Sequence, residues 1–146
     1  MNSKEITDTM ALKELIDSVS LLGDQRAVHE QVQLFTENAI SETFANDTLI
    51  LSLQGRQAME AAFVNFIKDF DTVYHFNGQH QVIVNGDNAT GTAYCLITLI
   101  GTENGKKMIT NIGAVYRDEY VREYSRWLIA KRTGNFVWQE KRAASY

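Results

Sequence analysis

The chain has 146 residues, 45% of them hydrophobic and 22% charged, with a formal net charge of −4. That composition fits one globular domain over residues 1–146, long enough to enclose a core and a pocket. The acidic balance and the scattered Lys and Arg argue against a nucleic-acid partner or an anionic membrane surface, and a lone Cys95 allows neither an internal disulfide nor a thiolate metal site.

The first residues, MNSKEITDTMALKELID, hold no long apolar run. They read as neither a signal peptide nor a membrane span, so a cytoplasmic protein with no membrane partner is expected. Leu12, Leu15, Ile16, Val19 and Leu22 recur at helical spacing and predict a helix from about Thr9 to Leu22. Gly23 interrupts it. A second helix is expected from Asp24, in the N-cap position, to Phe35. Two short strands follow at 40–45 and 48–53, around Asn46-Asp47. A third helix starts at Gly55, with Met59, Ala62, Phe63, Phe66 and Ile67 as its apolar stripe.

The rest reads as sheet. Strands are expected near 75–84, 89–101, 107–121, 125–133 and 136–142, with turns at Asn85-Gly86 and Asn104-Gly105. Proline is absent, so Gly, Asn and Asp end the elements. Helices first and a long meander last give an α+β fold, with three helices on one face of a curved, mainly antiparallel sheet. A bent sheet closed by helices makes a cone, and its interior is a natural apolar pocket.

Three segments carry a resemblance. GDQRAVHEQVQLFTENA, HFNGQHQVIVNGDNATGTAY and GAVYRDEYVREYSRWLIAKR, in this order and at these separations, resemble the SnoaL-like group of the nuclear-transport-factor-two-like (cystatin-like) fold. The family includes dehydratases, cyclases, epoxide hydrolases, ring-hydroxylation partners and non-enzymatic binding domains, so the fold alone fixes little about activity. Its dehydratases use an Asp on the helix pair facing a His at the start of the following sheet. The matching residues are Asp24 and His75. A family Tyr before that Asp is matched by Val19, and a second His or acid on the next strand by Ile97; both are apolar here. Relatives commonly pair their sheets, and a homodimer through the sheet face is expected. It would cover the apolar residues of TAYCLITLI that face away from the helices.

The chemistry follows from the residue types. A neutral imidazole is a competent base near pH 7, and a carboxylate beside it fixes its tautomer and steadies the imidazolium. Asp24 and His75 could therefore remove a proton beside a carbonyl and return it to a leaving hydroxyl, with no cofactor and no metal. The plain alternatives are a helix cap for Asp24 and a strand-edge role for His75. Cys95, Ile97 and Leu99 alternate along one strand and would line the cone together, beside Val19. Asn111 could bond a ligand carbonyl or face solvent. His80, five residues after His75, is expected on the opposite strand face. His29 is about 140° from Asp24 around the helix and reads as solvated. Asp118 and Arg132 match recurring family positions, and the resemblance implies a structural ion pair or a sheet-surface role rather than catalysis.

Two readings stay open. One is a cofactor-free lyase or isomerase acting on a hydrophobic, oxygenated small molecule. The other is a non-catalytic domain that binds an apolar ligand.

Overall fold

The computed structural model describes residues 1–146. Helix α1 (Ser3–Asp24) begins well before Thr9 because Asn2 and Glu5 form a capping box. The Asn2 side chain accepts the Glu5 N–H at 2.9 Å, and the Glu5 carboxylate accepts the Asn2 N–H. Gly23 does not break the helix. It is buried, and a Cβ there would come 2.8 Å from Gln31 Nε2, so the glycine lets α2 (Val28–Val32) pack close. That second helix is far shorter than the expected Asp24–Phe35. Phe35 is already in a strand, and the Leu34 carbonyl accepts the Ile129 N–H at 3.0 Å.

β1 (Phe35–Ala45) and β2 (Thr48–Gln54) form a hairpin whose turn residues, Asn46 and Asp47, have φ of 50° and 62°. Asn tolerates that left-handed backbone better than most residues. Gly55, at φ 89°, leads into α3 (Arg56–Ile67). Four long strands follow: β3 (Thr72–Asn85), β4 (Asn88–Glu103), β5 (Lys106–Glu123) and β6 (Arg126–Ala143). The last is one strand where the sequence suggests two. Gly134 stays in the ladder opposite Tyr116, and a Cβ there would come 2.9 Å from the Tyr116 ring. This glycine makes room for a ring rather than a turn.

The six strands run in the order β2-β1-β6-β5-β4-β3. Neighbours are antiparallel except β1 and β6, which pair in parallel, so the sheet is mixed. The apolar stripe of α1 (Leu12, Leu15, Ile16, Val19) packs with Phe35, Met59, Trp127 and Ile129 in the main core. Full burial of Ile16 alone contributes roughly 2 kcal/mol. A second cluster on the same sheet face holds Val73, Cys95, Ile97, Leu99, Ile112 and Ala114, closed by Ile67 at the end of α3 and by Phe70 in the segment that follows it.

One irregularity decides the site. Asn77 opposes Cys95 and His80 opposes Ala93, so three steps on β3 match two on β4. The extra residue is a β-bulge, which bends the strand and reverses the side-chain alternation beyond it. His80 therefore shares the face of His75, against the parity expected from the sequence. No helix is long and apolar enough to cross a membrane.

Candidate functional site

The polar stripe of α1 builds one wall of the site. Lys13, Asp17, Ser20 and Asp24 recur at spacings of three and four, so they share a helix face. That face lies along β3. Asp24 is the last residue of α1, not the cap of α2 as the sequence suggested. A helix C-terminus carries partial negative charge and is a poor place for a carboxylate. His75 compensates twice. Its backbone N–H donates to Asp24 Oδ2 at 3.0 Å, and its ring Nδ1 lies 2.6 Å from Asp24 Oδ1. An ionised carboxylate only accepts, so Nδ1 carries the proton in this contact. Nε2 is then the free nitrogen, with its lone pair available in the neutral ring. Both side chains are about a fifth exposed, at 21% for His75 and 23% for Asp24, so solvent reaches the pair at the α1–β3 seam.

The next rows of β3 continue the contact with α1. Asn77 donates to Asp17 Oδ1 at 2.9 Å and accepts from the Ser20 hydroxyl at 3.2 Å. Burial works against the charge of Asp17, but the Asn77 amide and the Lys13 ammonium outweigh it and hold its carboxyl below the usual range. His80 Nε2 lies 3.0 Å from the Tyr120 hydroxyl, which donates to Asp118 Oδ2 at 2.8 Å. Tyr120 spends its only proton on Asp118, so His80 must donate to it. Burial pushes the His80 imidazole toward the neutral form. Arg132 completes the chain through Nε and Nη2 to the two oxygens of Asp118, at 2.9 and 3.3 Å. Its guanidinium lies 3.9 Å from the centre of the Tyr116 ring. Burial opposes the charge of Arg132, and the Asp118 carboxylate overrides that penalty.

The remaining sequence candidates divide between two faces. Val19 is 5% exposed and belongs to the main core. Cys95, Ile97 and Leu99 share the inward face of β4, in the second cluster. Ile97 is the residue opposite His75. Burial pushes the Cys95 thiol up to about 11, so it packs as a small protonated side chain. Asn111 is placed differently from the pocket position considered for it. Its neighbour Ile112 pairs with Ile97 on the inward face, so Asn111 points outward, where it accepts the Thr98 hydroxyl at 2.7 Å. His29 is exposed and paired with Glu60 at 2.8 Å, outside the site. Two surface depressions lie outside the cone, one over Thr90, Thr92 and Arg117, the other between α1 and the β5–β6 hairpin; neither includes His75 or Asp24. No three His, Cys, Asp or Glu side chains gather as a metal-ligand set.

Sequence reasoning missed His80, Tyr116 and Tyr120 as interior polar groups. The signal that could have found His80 is Gly78, since a glycine inside a strand pattern often marks a bulge.

Comparison with known proteins agrees with this fold. A sequence model of the SnoaL-like domain matches residues 4–133. A scytalone dehydratase-like protein from Novosphingobium aromaticivorans DSM 12444 superposes with a TM-score of 0.83 at 19% identity, over 99% of this chain and 95% of that one. A type 2 hexachlorocyclohexane dehydrochlorinase gives 0.80 at 17% identity, over 97% and 93%. A nuclear-transport-factor-two-like protein with a cystatin-like fold, also from N. aromaticivorans, gives 0.72 at 20% identity, over 91% and 84%. No curated protein matches the chain. With a family match over nearly all its length and the fold of these structures, the chain belongs to the SnoaL-like domain family.

Proposed function

We propose that this SnoaL-like protein takes up a hydrophobic, oxygenated small molecule and acts on it as a cofactor-free lyase or isomerase, with His75 as the base and Asp24 as its positioning residue. The observation that carries this is the double contact of Asp24 on His75. One carboxylate holds both the backbone and the ring of the histidine and leaves Nε2 free. In a dehydration, Nε2 takes a proton from the carbon beside a carbonyl, and the electron pair moves onto the carbonyl oxygen. The enolate then re-forms the carbonyl and a carbon–carbon double bond as hydroxide leaves. The imidazolium gives its proton to that hydroxide, water departs, and His75 is neutral again. An isomerisation returns the proton to a different carbon. Such acid–base work contributes on the order of 10²–10⁴-fold in rate. Two of the structural neighbours bear the names of eliminating enzymes, a dehydratase and a dehydrochlorinase, in keeping with this reading.

A second reading, a non-catalytic binding domain, is favoured by the apolar Val19 and Ile97 at the positions the family's dehydratases fill with polar groups. The two separate in one experiment. A ligand screen by thermal shift is followed by turnover assays on each binder. Under the lyase reading, His75→Ala abolishes turnover and leaves binding within a few-fold. Turnover that survives His75→Ala contradicts the assignment. Binding with no turnover in the wild type supports the binding domain.

The outer sheet face supports a homodimer as the working form. Phe76, Leu96, Gly113 and Trp138 stand in one row across β3, β4, β5 and β6. Phe76, Leu96 and Trp138 are 63%, 43% and 50% exposed, with Tyr74 and Tyr94 beside them. A monomer rarely leaves so continuous an apolar patch in water.

A further inference from the structure

The two ends of α3 are held very differently. At its start, the Gly55 N–H donates to the Ala39 carbonyl at 2.8 Å, and the Arg56 guanidinium donates twice to the Phe35 carbonyl, at 2.9 and 2.7 Å. Met59 is fully buried in the main core, and Glu60 is paired with His29. After Glu60 the helix buries no residue, and Val64 and Phe66 are exposed. From Ala61 to Phe70, the hydrogen bonds to other elements are the two that Arg26 donates, from Nη1 to the Ile67 carbonyl at 2.9 Å and from Nη2 to the Phe70 carbonyl. The far end lies flat on the sheet. A Cβ on Gly101 would come 2.9 Å from the Asp69 carbonyl oxygen and 3.3 Å from the Phe70 ring, so this glycine is a seat for the segment. The chain rejoins the sheet at Asp71, whose N–H donates to the Ile100 carbonyl at 2.7 Å. Between these moorings the segment rests on Phe63, Ile67 and Phe70, each partly buried.

We propose that residues 61–70 form a movable cover over the inward face beside His75, and that Arg26 latches it shut. Ile67 and Phe70 close the second cluster, and Ile97 of that cluster stands opposite His75. Ile97 and its neighbours Cys95 and Leu99 are buried, so a ligand reaching them from the α3 side must displace the cover. An apolar ligand that takes the place of Ile67 and Phe70 replaces the burial they lose, whereas a charged one does not. The cover therefore selects a flat, hydrophobic molecule about the size of those two side chains. Arg26 is built for the latch. It lies two residues after Asp24, at φ 62°, a backbone that a residue with a Cβ adopts at a cost of about 1–2 kcal/mol. Its guanidinium is exposed, and its two bonds fasten the last carbonyls of α3. When they break, Met59 and Arg56 still hold the start of the helix. A segment with so little buried and its bonds in solvent opens at less cost than the whole fold.

This rests on the acid–base reading only for the purpose of the opening; the cover itself is tested without turnover. Cys95, the lone thiol, is buried in the cluster that the cover closes, so its labelling by methyl methanethiosulfonate reports each opening. Arg26→Met keeps the apolar stem and removes both bonds. It is expected to label about tenfold faster than the wild type. It should also bind 2-naphthol, a flat uncharged probe, more tightly by the same factor, because one open population governs both. Asp8→Asn, which loosens the other end of α1, should leave the labelling rate unchanged. An unchanged rate in Arg26→Met overturns the latch. Faster labelling without tighter 2-naphthol, or no binding of 2-naphthol by either protein, means that the end of α3 frays without admitting a ligand, and overturns the cover. Equal acceleration in Asp8→Asn ascribes the thiol's exposure to global unfolding and overturns it too. Turnover persisting in His75→Ala removes the acid–base reading and leaves these results standing.

Discussion

Asp24 shows how a single residue can be costly in one frame and useful in another. At the C-terminus of α1 its charge opposes the helix dipole, and only β3 makes the position tenable. A residue held by two donors from one histidine fixes the tautomer of that histidine. A different economy holds at the β5–β6 turn, where Tyr124 and Ser125 adopt φ of 51° and 68° and Tyr124 is fully exposed. Such turns favour Asn-Gly, as the chain itself uses at Asn104-Gly105. Replacing the pair as Tyr124→Asn with Ser125→Gly should stabilise the fold by about 1–2 kcal/mol, read as a higher urea midpoint with an unchanged slope. An unchanged midpoint would mean that the left-handed backbone there carries no strain.

At the scale of elements, α1 is fastened to the sheet at both ends. Near its start, Asp8 receives Arg122 Nη1 and Nη2 at 3.0 and 3.1 Å and Trp127 Nε1 at 3.3 Å, while Arg122 also bonds Asp87. The Arg122 hydrogen bonds hold the Asp8 carboxyl below its usual range, against the cost of burial. The folded value lies below the unfolded one, so the stability from this contact is complete above the ordinary carboxylate range, near about pH 4. It is lost as pH falls through the folded value. Asp8→Asn should lower stability at neutral pH by about 1–3 kcal/mol and flatten the acid limb of the urea-midpoint profile. An acid limb as steep as the wild type's would assign that titration elsewhere.

The elements themselves were largely legible. The stripe from Leu12 to Leu22 and the hairpin turns read directly from spacing and turn chemistry. The second helix did not, because Phe35 is drawn into the sheet by a partner far away in sequence, Ile129. The face of His80 was lost for a local reason, since one inserted residue at the bulge reverses every later side chain. Asp24 and His75 came from the family pattern, whereas the Tyr116 and Arg132 pair depends on cross-strand neighbours that no single segment displays.

For the whole molecule, a curved sheet with helices on one face leaves the other face to be covered. The row from Phe76 to Trp138 lies across four strands, so one charge in its middle should break a symmetric contact. Leu96→Glu is expected to convert a dimer to a monomer by analytical ultracentrifugation, with the fold intact by circular dichroism. A wild type that sediments as a monomer at high concentration would contradict the dimer. The proposed chemistry on the inward face depends on α1 and β3 delivering one imidazole with a free nitrogen. Long-range proton–nitrogen NMR of protein with ¹⁵N-labelled histidine reads that state directly. In mildly alkaline buffer His75 should show a protonated Nδ1 and a bare Nε2, and Asp24→Asn should abolish that bias. A proton on Nε2 in the wild type, or a tautomer indifferent to Asp24→Asn, would contradict it.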